Sequence, residues 1–387
     1  MTKTPRAVVV GPGYIGEVHA DALRRNGVVV AGFVGSGSEA GRARARDMGI
    51  PSFASLAEAL DSGPVDCVHI ATPNHLHAPL ALEAISAGKH VVCEKPLAMN
   101  PEEGRALLHA ATVAGIVHAV NFNFRFYTLV RQMRALVRTD ALGPLYLIHG
   151  GYLQDWLLFA SDWNWRLDPT LGGNLRAIAD IGSHWLDLAG YVTGQQPRAL
   201  VADLATFVPE RQRPLRPVQT FAGKELAPDE YDVIRMNTDD YASVLIDFDH
   251  GARGTLTVSQ VSAGRKNRLS LEVSGAASSA AWTSERVEEL WIGHRNRANE
   301  LLLRDPPALL PDARAVTTAP GGHAEGYIET HRALFRAVYA AIAAGWPPDE
   351  PDYPTFGDGL RSLVLGESIA RSARERRWIE PDLAKDQ

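Results

Sequence analysis

Cysteine is nearly absent from this chain of 387 residues: only Cys67 and Cys93 occur. Each lies in an apolar, strand-like stretch, 65–71 or 90–94, so both read as buried reduced thiols. A disulfide scaffold and a cysteine-based metal or redox motif are excluded. Positive charge is not in excess either. The formal net charge is −6, from 39 Lys and Arg against 45 Asp and Glu, which gives no general attraction to nucleic acid or to an anionic membrane. No apolar run is long enough to span a bilayer. The segment Met1 to Arg6 carries no secretory signal before the first strand, so the expected compartment is the cytoplasm. Internal repeats, heptads and low-complexity tracts are also missing, which excludes a solenoid or an interaction tail.

What is present is an ordinary globular composition, 45% hydrophobic and 22% charged, in a chain longer than one hydrophobic core serves. Two domains are expected, over 1–124 and 125–387. The most informative phrase is Val8-Val9-Val10-Gly11-Pro12-Gly13-Tyr14-Ile15-Gly16, an apolar strand running into a Gly-x-Gly-x-x-Gly turn and then a helix. In that context Gly11 permits the tight turn, Gly13 lets backbone approach a pyrophosphate, and Gly16 lets helix and strand pack closely. The helix that opens at Tyr14 and Ile15 offers free N–H donors, so a dinucleotide is the expected cofactor.

Strand and helix patterns then alternate: strands over 28–34, 65–71, 90–93 and 116–120, helices over 39–48, 79–87 and 101–114. This predicts an α/β fold whose N-terminal domain is a Rossmann, doubly wound parallel sheet. From Leu145 the segments 145–152, 241–248, 254–261 and 269–273 alternate with period two. They predict a C-terminal α+β domain with a large, mostly antiparallel open sheet. A helix is expected to start near Asp180, and Pro209 to Pro217 reads as an exposed loop. Helical spacing over 325–344 and 356–376 predicts two last helices packing back on the first domain.

In open α/β sheets the ligand lies beyond the carboxyl ends of the strands. Those ends carry Ala71-Thr72-Pro73-Asn74-His75-Leu76-His77, Cys93-Glu94-Lys95-Pro96 and Asn121-Phe122-Asn123-Phe124-Arg125. Ala71, Thr72, Asn74, His77, Glu94, Lys95 and Asn123 are therefore cofactor-binding candidates. Through the glycine turn, Ala71-Thr72-Pro73-Asn74-x-x-His77, Glu94-Lys95-Pro96 and Asp180-Ile181-Gly182-Ser183-His184-x-x-Asp187, the chain resembles the Gfo/Idh/MocA family of sugar and cyclitol oxidoreductases. The likeness spans essentially the whole sequence. Gly150 to Trp156 and Pro354-Thr355-Phe356-x-Asp358-Gly359 look like members such as levoglucosan and inositol dehydrogenases. The resemblance implies that Lys95, Asp180 and His184 face the substrate as catalytic residues, and that the open sheet mediates homodimers or homotetramers.

Removing a hydride from an alcohol carbon requires the hydroxyl proton to leave as well, and a group titrating near neutrality is suited to take it. His184 is the natural base. Lys95 can hold the hydroxyl and stabilise charge developing on oxygen, or relay the proton if it is desolvated. Asp180, one helical turn before His184, can orient the imidazole or grip a second hydroxyl. Gln154, Trp156 and Arg166 are further substrate-binding candidates, with Trp163, Trp165, Lys266, Asn267 and His323 behind them. Tryptophan faces suit the apolar side of a sugar ring, but tryptophan is as often buried for packing alone. Asp180, His184 and Asp187 also have the i, i+4, i+7 spacing of metal ligands. Hydride transfer needs no metal, and none is expected.

NAD-selective turns place an acidic residue about 20 positions past the glycines. Here the second strand runs into Gly35-Ser36-Gly37-Ser38, with Arg42 and Arg44 following. Gly35 leaves room, and Ser36 and a nearby arginine can hold a 2′-phosphate, so NADP is favoured over NAD. The expected function is an NAD(P)-dependent dehydrogenase exchanging a hydride with a ring hydroxyl of a sugar, anhydrosugar or cyclitol. The alternative is a redox-neutral NAD-dependent glycosidase or epimerase working through a transient keto-sugar. A nucleotide-sensing regulator leaves Lys95, Asp180 and His184 without purpose.

Overall fold

Arg6–Val10 forms β1, and its apolar side chains are buried on both sides, as a strand in the middle of a parallel sheet requires. The structure, a computed structural model, describes residues 4–35, 37–216, 227, 229–345 and 347–383. Around β1 lie β2 (Val29–Val34), β3 (Ser52–Phe53), β4 (Cys67–Ile70), β5 (His90–Cys93) and β6 (His118–Val120), in the order β3-β2-β1-β4-β5-β6. Every pairing is parallel. Val8, Val10, Val68, Ile70, Val91 and Cys93 share a core with Leu107 and Phe122. The helix Pro101–Ala114 starts and ends where the sequence puts it. Asn100 Oδ1 accepts from Glu103 N, Pro101 sits in the first turn, and Gly115 ends the helix at φ 63°.

The chain divides into two compact units. Of the described residues, the first comprises those within 4–126 and 325–363, and the second those within 127–324 and 364–383. The helix Tyr327–Ala344 belongs to the first, and the helix Phe356–Glu375 passes from the first into the second.

In the second unit β7 (Leu145–Leu153), β8 (Pro197–Ala205), β9 (Glu210–Pro214), β10 (Tyr231–Arg235), β11 (Tyr241–Phe248), β12 (Arg253–Ser259), β13 (Arg268–Gly275), β14 (Ser278–Thr283), β15 (Glu289–His294) and β16 (Glu300–Leu303) appear. Eight of them form one sheet, ordered β16-β15-β14-β13-β7-β12-β11-β8. It is antiparallel except between β7 and β12. Burial alternates along β11 and β13, so one face is covered and the other is open. The helix Ser183–Thr193 lies on the covered face. Trp185, fully buried, donates Nε1–H to Ser270 O at 3.0 Å. A Cβ at Gly150 would meet Ser270 O of β13 at 2.0 Å and Trp185 Nε1 at 2.8 Å, so the neighbouring strand and the helix together require glycine here.

The expected loop at Pro209 to Pro217 is instead largely strand. β9 pairs antiparallel with β10 in a separate two-stranded ribbon, and Pro217 lies outside the described residues. Its arginines explain the difference. Arg213 faces solvent, whereas Arg211 is completely buried and donates to Asp240 Oδ1 at 2.9 Å and to Leu157 O at 2.8 Å. A composition that suits a surface loop here supplies an internal ion pair.

Candidate functional site

The first unit gathers its chemistry at the carboxyl edge of the parallel sheet. Gly11 has φ 100°, and a Cβ there would collide with the Ala71 carbonyl at the end of β4. A Cβ at Gly16 would collide with the Gly11 carbonyl, so glycine alone lets this helix close on the strand. Gly13 differs: nothing lies within 4 Å of where its Cβ would be. The backbone is open there, at the N-terminus of the helix Tyr14–Arg25, where an anionic group is best received. Tyr14 is exposed and Ile15 half-buried beside that opening.

Two strand-end turns are tied together by His77. Its buried ring spans the Pro96 carbonyl, 2.7 Å from Nδ1, and the Thr72 carbonyl, 2.9 Å from Nε2. Ala71 and Thr72 are half-buried, Asn74 buried, and the Thr72 hydroxyl oxygen is enclosed with no hydrogen-bond partner among the described residues. Glu94 follows β5. Burial pushes its carboxyl up, but His19, Lys95 and Asn121 outweigh burial and hold it well below the usual range. Lys95 N donates to Glu94 Oε2 at 3.2 Å. Asn123 is buried and donates Nδ2–H to Thr330 Oγ1 at 2.8 Å. Arg125 pairs with Asp358 at 2.9 Å, which gives the Asp358-Gly359 motif a structural purpose.

Past β2, Gly35 has a packing reason of its own: a Cβ there would lie 2.9 Å from Pro12 Cγ. Ser36 lies outside the described residues, and the Ser38 hydroxyl caps the next helix by accepting from Gly41 N at 3.2 Å. Arg42 and Arg46 share Glu39, while Arg44 pairs with Glu17 at 2.7 Å.

In the second unit Asp180 does not sit on a regular α-helix one turn before His184. Ile178–Gly182 is a π-turn, and the helix proper begins at Ser183. The buried Asp239 shapes this entry, accepting from Arg176 N at 2.7 Å and Ile178 N at 2.9 Å. Both Asp180 oxygens are engaged: Arg166 Nε donates to Oδ1 at 3.0 Å and Gln260 Nε2 to Oδ2 at 2.9 Å. The Arg166 guanidinium in turn stacks on the Trp165 ring at 4.5 Å. Behind Gln260, fully buried Arg176 donates to Gln260 Oε1 and Asp240.

His184 is buried on the covered face of the sheet, its ring centroid 6.1 Å from that of Tyr152. Tyr152 is a neighbour that sequence reasoning passed over, although period two puts it on one face with Gln154. Its hydroxyl donates to Asn267 Oδ1 at 2.6 Å, and Gln154 Nε2 donates to the same atom at 2.7 Å. Burial, with Tyr127 and Asp180 nearby, keeps the Tyr152 phenol protonated far above its ordinary range. The Gln154 side-chain oxygen is buried with no partner among the described residues. Trp156 is exposed, and Trp163 packs into a small core with Leu157, Leu167 and Met236. Lys266 points to solvent, paired with Asp155 at 2.7 Å, and His323 is exposed. Among the described residues no three His, Cys, Asp or Glu side chains converge as a metal set.

Known proteins match both units. Residues 5–122 match an oxidoreductase family with an NAD-binding Rossmann fold, and residues 130–281 match the GFO/IDH/MocA C-terminal domain. Levoglucosan dehydrogenase of Pseudarthrobacter phenanthrenivorans is 32% identical over 326 residues, 83% of this chain and 81% of that protein. D-glucoside 3-dehydrogenase of Escherichia coli is 33% identical over 198 residues, 50% of this chain and 56% of that one. A solved levoglucosan dehydrogenase in complex with NADH and levoglucosan superposes with a TM-score of 0.86 at 28% identity, covering 98% of this chain and 100% of that one. The chain belongs to the Gfo/Idh/MocA family of NAD-binding oxidoreductases.

Proposed function

We propose that this protein is a dehydrogenase that exchanges a hydride between a nicotinamide dinucleotide and a ring hydroxyl of a sugar, anhydrosugar or cyclitol. The observation that carries the reading is the open backbone at Gly13, beside glycines that only packing requires, with Thr72, Glu94 and Lys95 on neighbouring strand ends. The bound nicotinamide supplies the hydride acceptor. The protein's own residues do the rest: the backbone of the 11–16 turn receives the pyrophosphate, and Lys95 holds the reacting hydroxyl and stabilises charge on its oxygen. His184 takes the hydroxyl proton. Asp180, held as an acceptor by Arg166 and Gln260, grips a second hydroxyl. Gln154 and Arg166 bind further hydroxyls, and Trp156 lies against the apolar face of the ring.

For the cofactor, NADP over NAD is supported by the residues that follow β2: Gly35 stands where an NAD-selective turn carries an acidic side chain, and the next helix, Glu39–Asp47, carries Arg42, Arg44 and Arg46. Absorbance at 340 nm with sugars, anhydrosugars and inositols, NAD and NADP being supplied separately, tests both statements. Net reduction is expected, with the larger kcat/KM for NADP; a clear NAD preference removes the cofactor reading. Release of tightly bound nucleotide without any net reduction favours the redox-neutral glycosidase or epimerase.

Gly13→Ala separates cofactor binding from folding. The added Cβ enters open space, so Tm is expected to fall by only about 1–3 °C, since alanine in place of glycine at an N-cap costs about 0.5–1 kcal/mol. The dinucleotide Kd rises about tenfold or more, as its pyrophosphate is pushed from the backbone. Unchanged affinity by fluorescence titration removes Gly13 from the cofactor site.

The open face of the large sheet supports a homodimer or homotetramer. It exposes Leu147, Leu245, Leu301 and Leu303, and holds a concavity of about 570 Å³ lined in part by Arg268, Glu272 and Trp291. Light scattering is expected to return two or four chain masses, and a monomer at micromolar concentration contradicts it.

A further inference from the structure

A chain of ionisable groups lies buried behind the β5 turn, and none of the roles above uses it. His19, on the helix Tyr14–Arg25, and His69, in β4, are both completely buried. Their Nδ1 atoms lie 3.2 Å apart. His19 Nε2 is 3.2 Å from Glu94 Oε1, and His69 Nε2 is 3.1 Å from the Tyr339 hydroxyl. Asn121 Nδ2 donates to the same Glu94 oxygen at 2.5 Å. All of these residues belong to the first unit.

The bonding rules of the groups restrict what this chain can be. An ionised carboxylate only accepts, so the hydrogen between His19 and Glu94 sits on His19 Nε2. Between the two Nδ1 atoms one nitrogen carries hydrogen and the other a lone pair. If His69 donates there, its Nε2 accepts from the Tyr339 hydroxyl; if His19 donates, His69 Nε2 donates to the Tyr339 oxygen. Burial, and then His19, push His69 well down, so His69 is neutral in either pattern. The other groups facing the pair offer His19 no second acid. His331 and Phe335 come from the helix Tyr327–Ala344, and burial pushes His331 down to about 4. Cys67, next to Tyr339, is pushed up to about 12. Among the described residues Glu94 is the one carboxylate that meets His19, and Lys95 N is fastened to that carboxylate.

We infer that His19 is a positioning residue for the Glu94-Lys95 turn: it holds the Glu94 carboxylate in place through Nε2–H, and His69 with Tyr339 decides whether its Nδ1 carries a hydrogen as well. This rests on the reading that a nicotinamide dinucleotide is received at these strand ends. His19 acts through Glu94 and touches neither substrate nor cofactor.

The test uses full-length protein with ¹⁵N-labelled histidine, together with NADH and NADPH titrations by fluorescence. In the unliganded protein one imidazole is expected to carry hydrogen at Nε2 and to lose that signature in Glu94→Gln. Tyr339→Phe, which keeps the ring, is expected to change the tautomer balance of two imidazoles together. His19→Leu weakens dinucleotide binding about tenfold, the size of one charged hydrogen bond. His19→Gln, whose amide can still donate to Glu94, recovers most of it. A merely structural role would lower Tm in His19→Leu and His19→Gln alike while leaving affinity and tautomers in place. Folded His19→Leu binding as tightly as the parent overturns the inference; should that variant not fold, unchanged tautomers in Tyr339→Phe overturn it equally. A parent protein that binds neither dinucleotide defeats the functional reading instead, and the histidine spectra still decide the His19–Glu94 bond.

Discussion

His184→Ala is expected to lower kcat for sugar oxidation by about 10²- to 10⁴-fold, the usual worth of a positioned general base, if the proposed role holds. Dinucleotide affinity stays where it was, because the glycine turn is not altered. Lys95→Met lowers kcat by about 10²- to 10³-fold, as removal of an oxyanion donor does. Under the proposed roles the two variants would report different losses: without the imidazole the hydroxyl proton would have no acceptor, and without the lysine side chain the oxygen would lose its partner. Steady-state rates at 340 nm with the best substrate of the panel, alongside NADH titration, measure both. Full turnover in His184→Ala would move the base to Lys95. The Tyr152 phenol, although its ring lies near His184, is held in its protonated form by burial and cannot take that place.

The second large effect concerns stability. Asp240 lies between Arg176 and Arg211, and all three side chains are fully shielded from water. Its other oxygen accepts from Phe207 N at 2.7 Å and Val208 N at 2.8 Å. Burial pushes the Asp240 carboxyl up; Arg176, the backbone N–H groups and Arg211 more than compensate, leaving it below its ordinary value. A carboxyl lowered in the folded state stabilises the protein fully above its unfolded pKa and loses that contribution as pH falls through the folded one. Asp240→Ala strands two buried guanidinium groups, and removing one partner of a buried pair costs about 3–5 kcal/mol. Tm is expected to fall by roughly 10 °C. Asp240→Asn, which keeps an acceptor but not the charge, should fall between. A melt of Asp240→Ala within about 2 °C of the parent at pH 7 would mean that the arginines find water or other carbonyls.

Much of the fold was legible because its signals are local. Continuous apolar runs mark buried parallel strands, and period two marks β11 and β13. The Asn100-Pro101 start and Gly115 stop delimit a helix to the residue. The short helix Leu56–Asp61 was missed although its signal is in the sequence, since Ser55 Oγ accepts from Glu58 N and Glu58 bonds back to Ala54 N. The glycine turn could be read for the same local reason. The surroundings of Asp180 could not: its partner Gln260 is 80 residues away, and Asp239, which fixes the π-turn, lies 61 from Ile178. No window on the chain contains both ends of such a bond. His69 hides in a different way. A histidine inside an apolar strand looks like a tolerated irregularity until His19 and Tyr339, 50 and 270 residues distant, are found beside it.

The split composition of the first unit bears on how the protein is made. Its sheet is complete once residue 120 has been synthesised, yet the helix Tyr327–Ala344, which supplies Phe335 and Tyr339 against His19 and His69, is synthesised only some 200 residues later. Domains that form early during synthesis do so from contiguous chain. Here the N-terminal sheet would have to wait, with two histidines uncovered, while some 200 residues of the other unit emerge, β7 pairing with strands more than 100 positions later. Ribosome-bound chains halted near Ala324 should therefore be cut by protease within the first 126 residues, and released full-length chains should not.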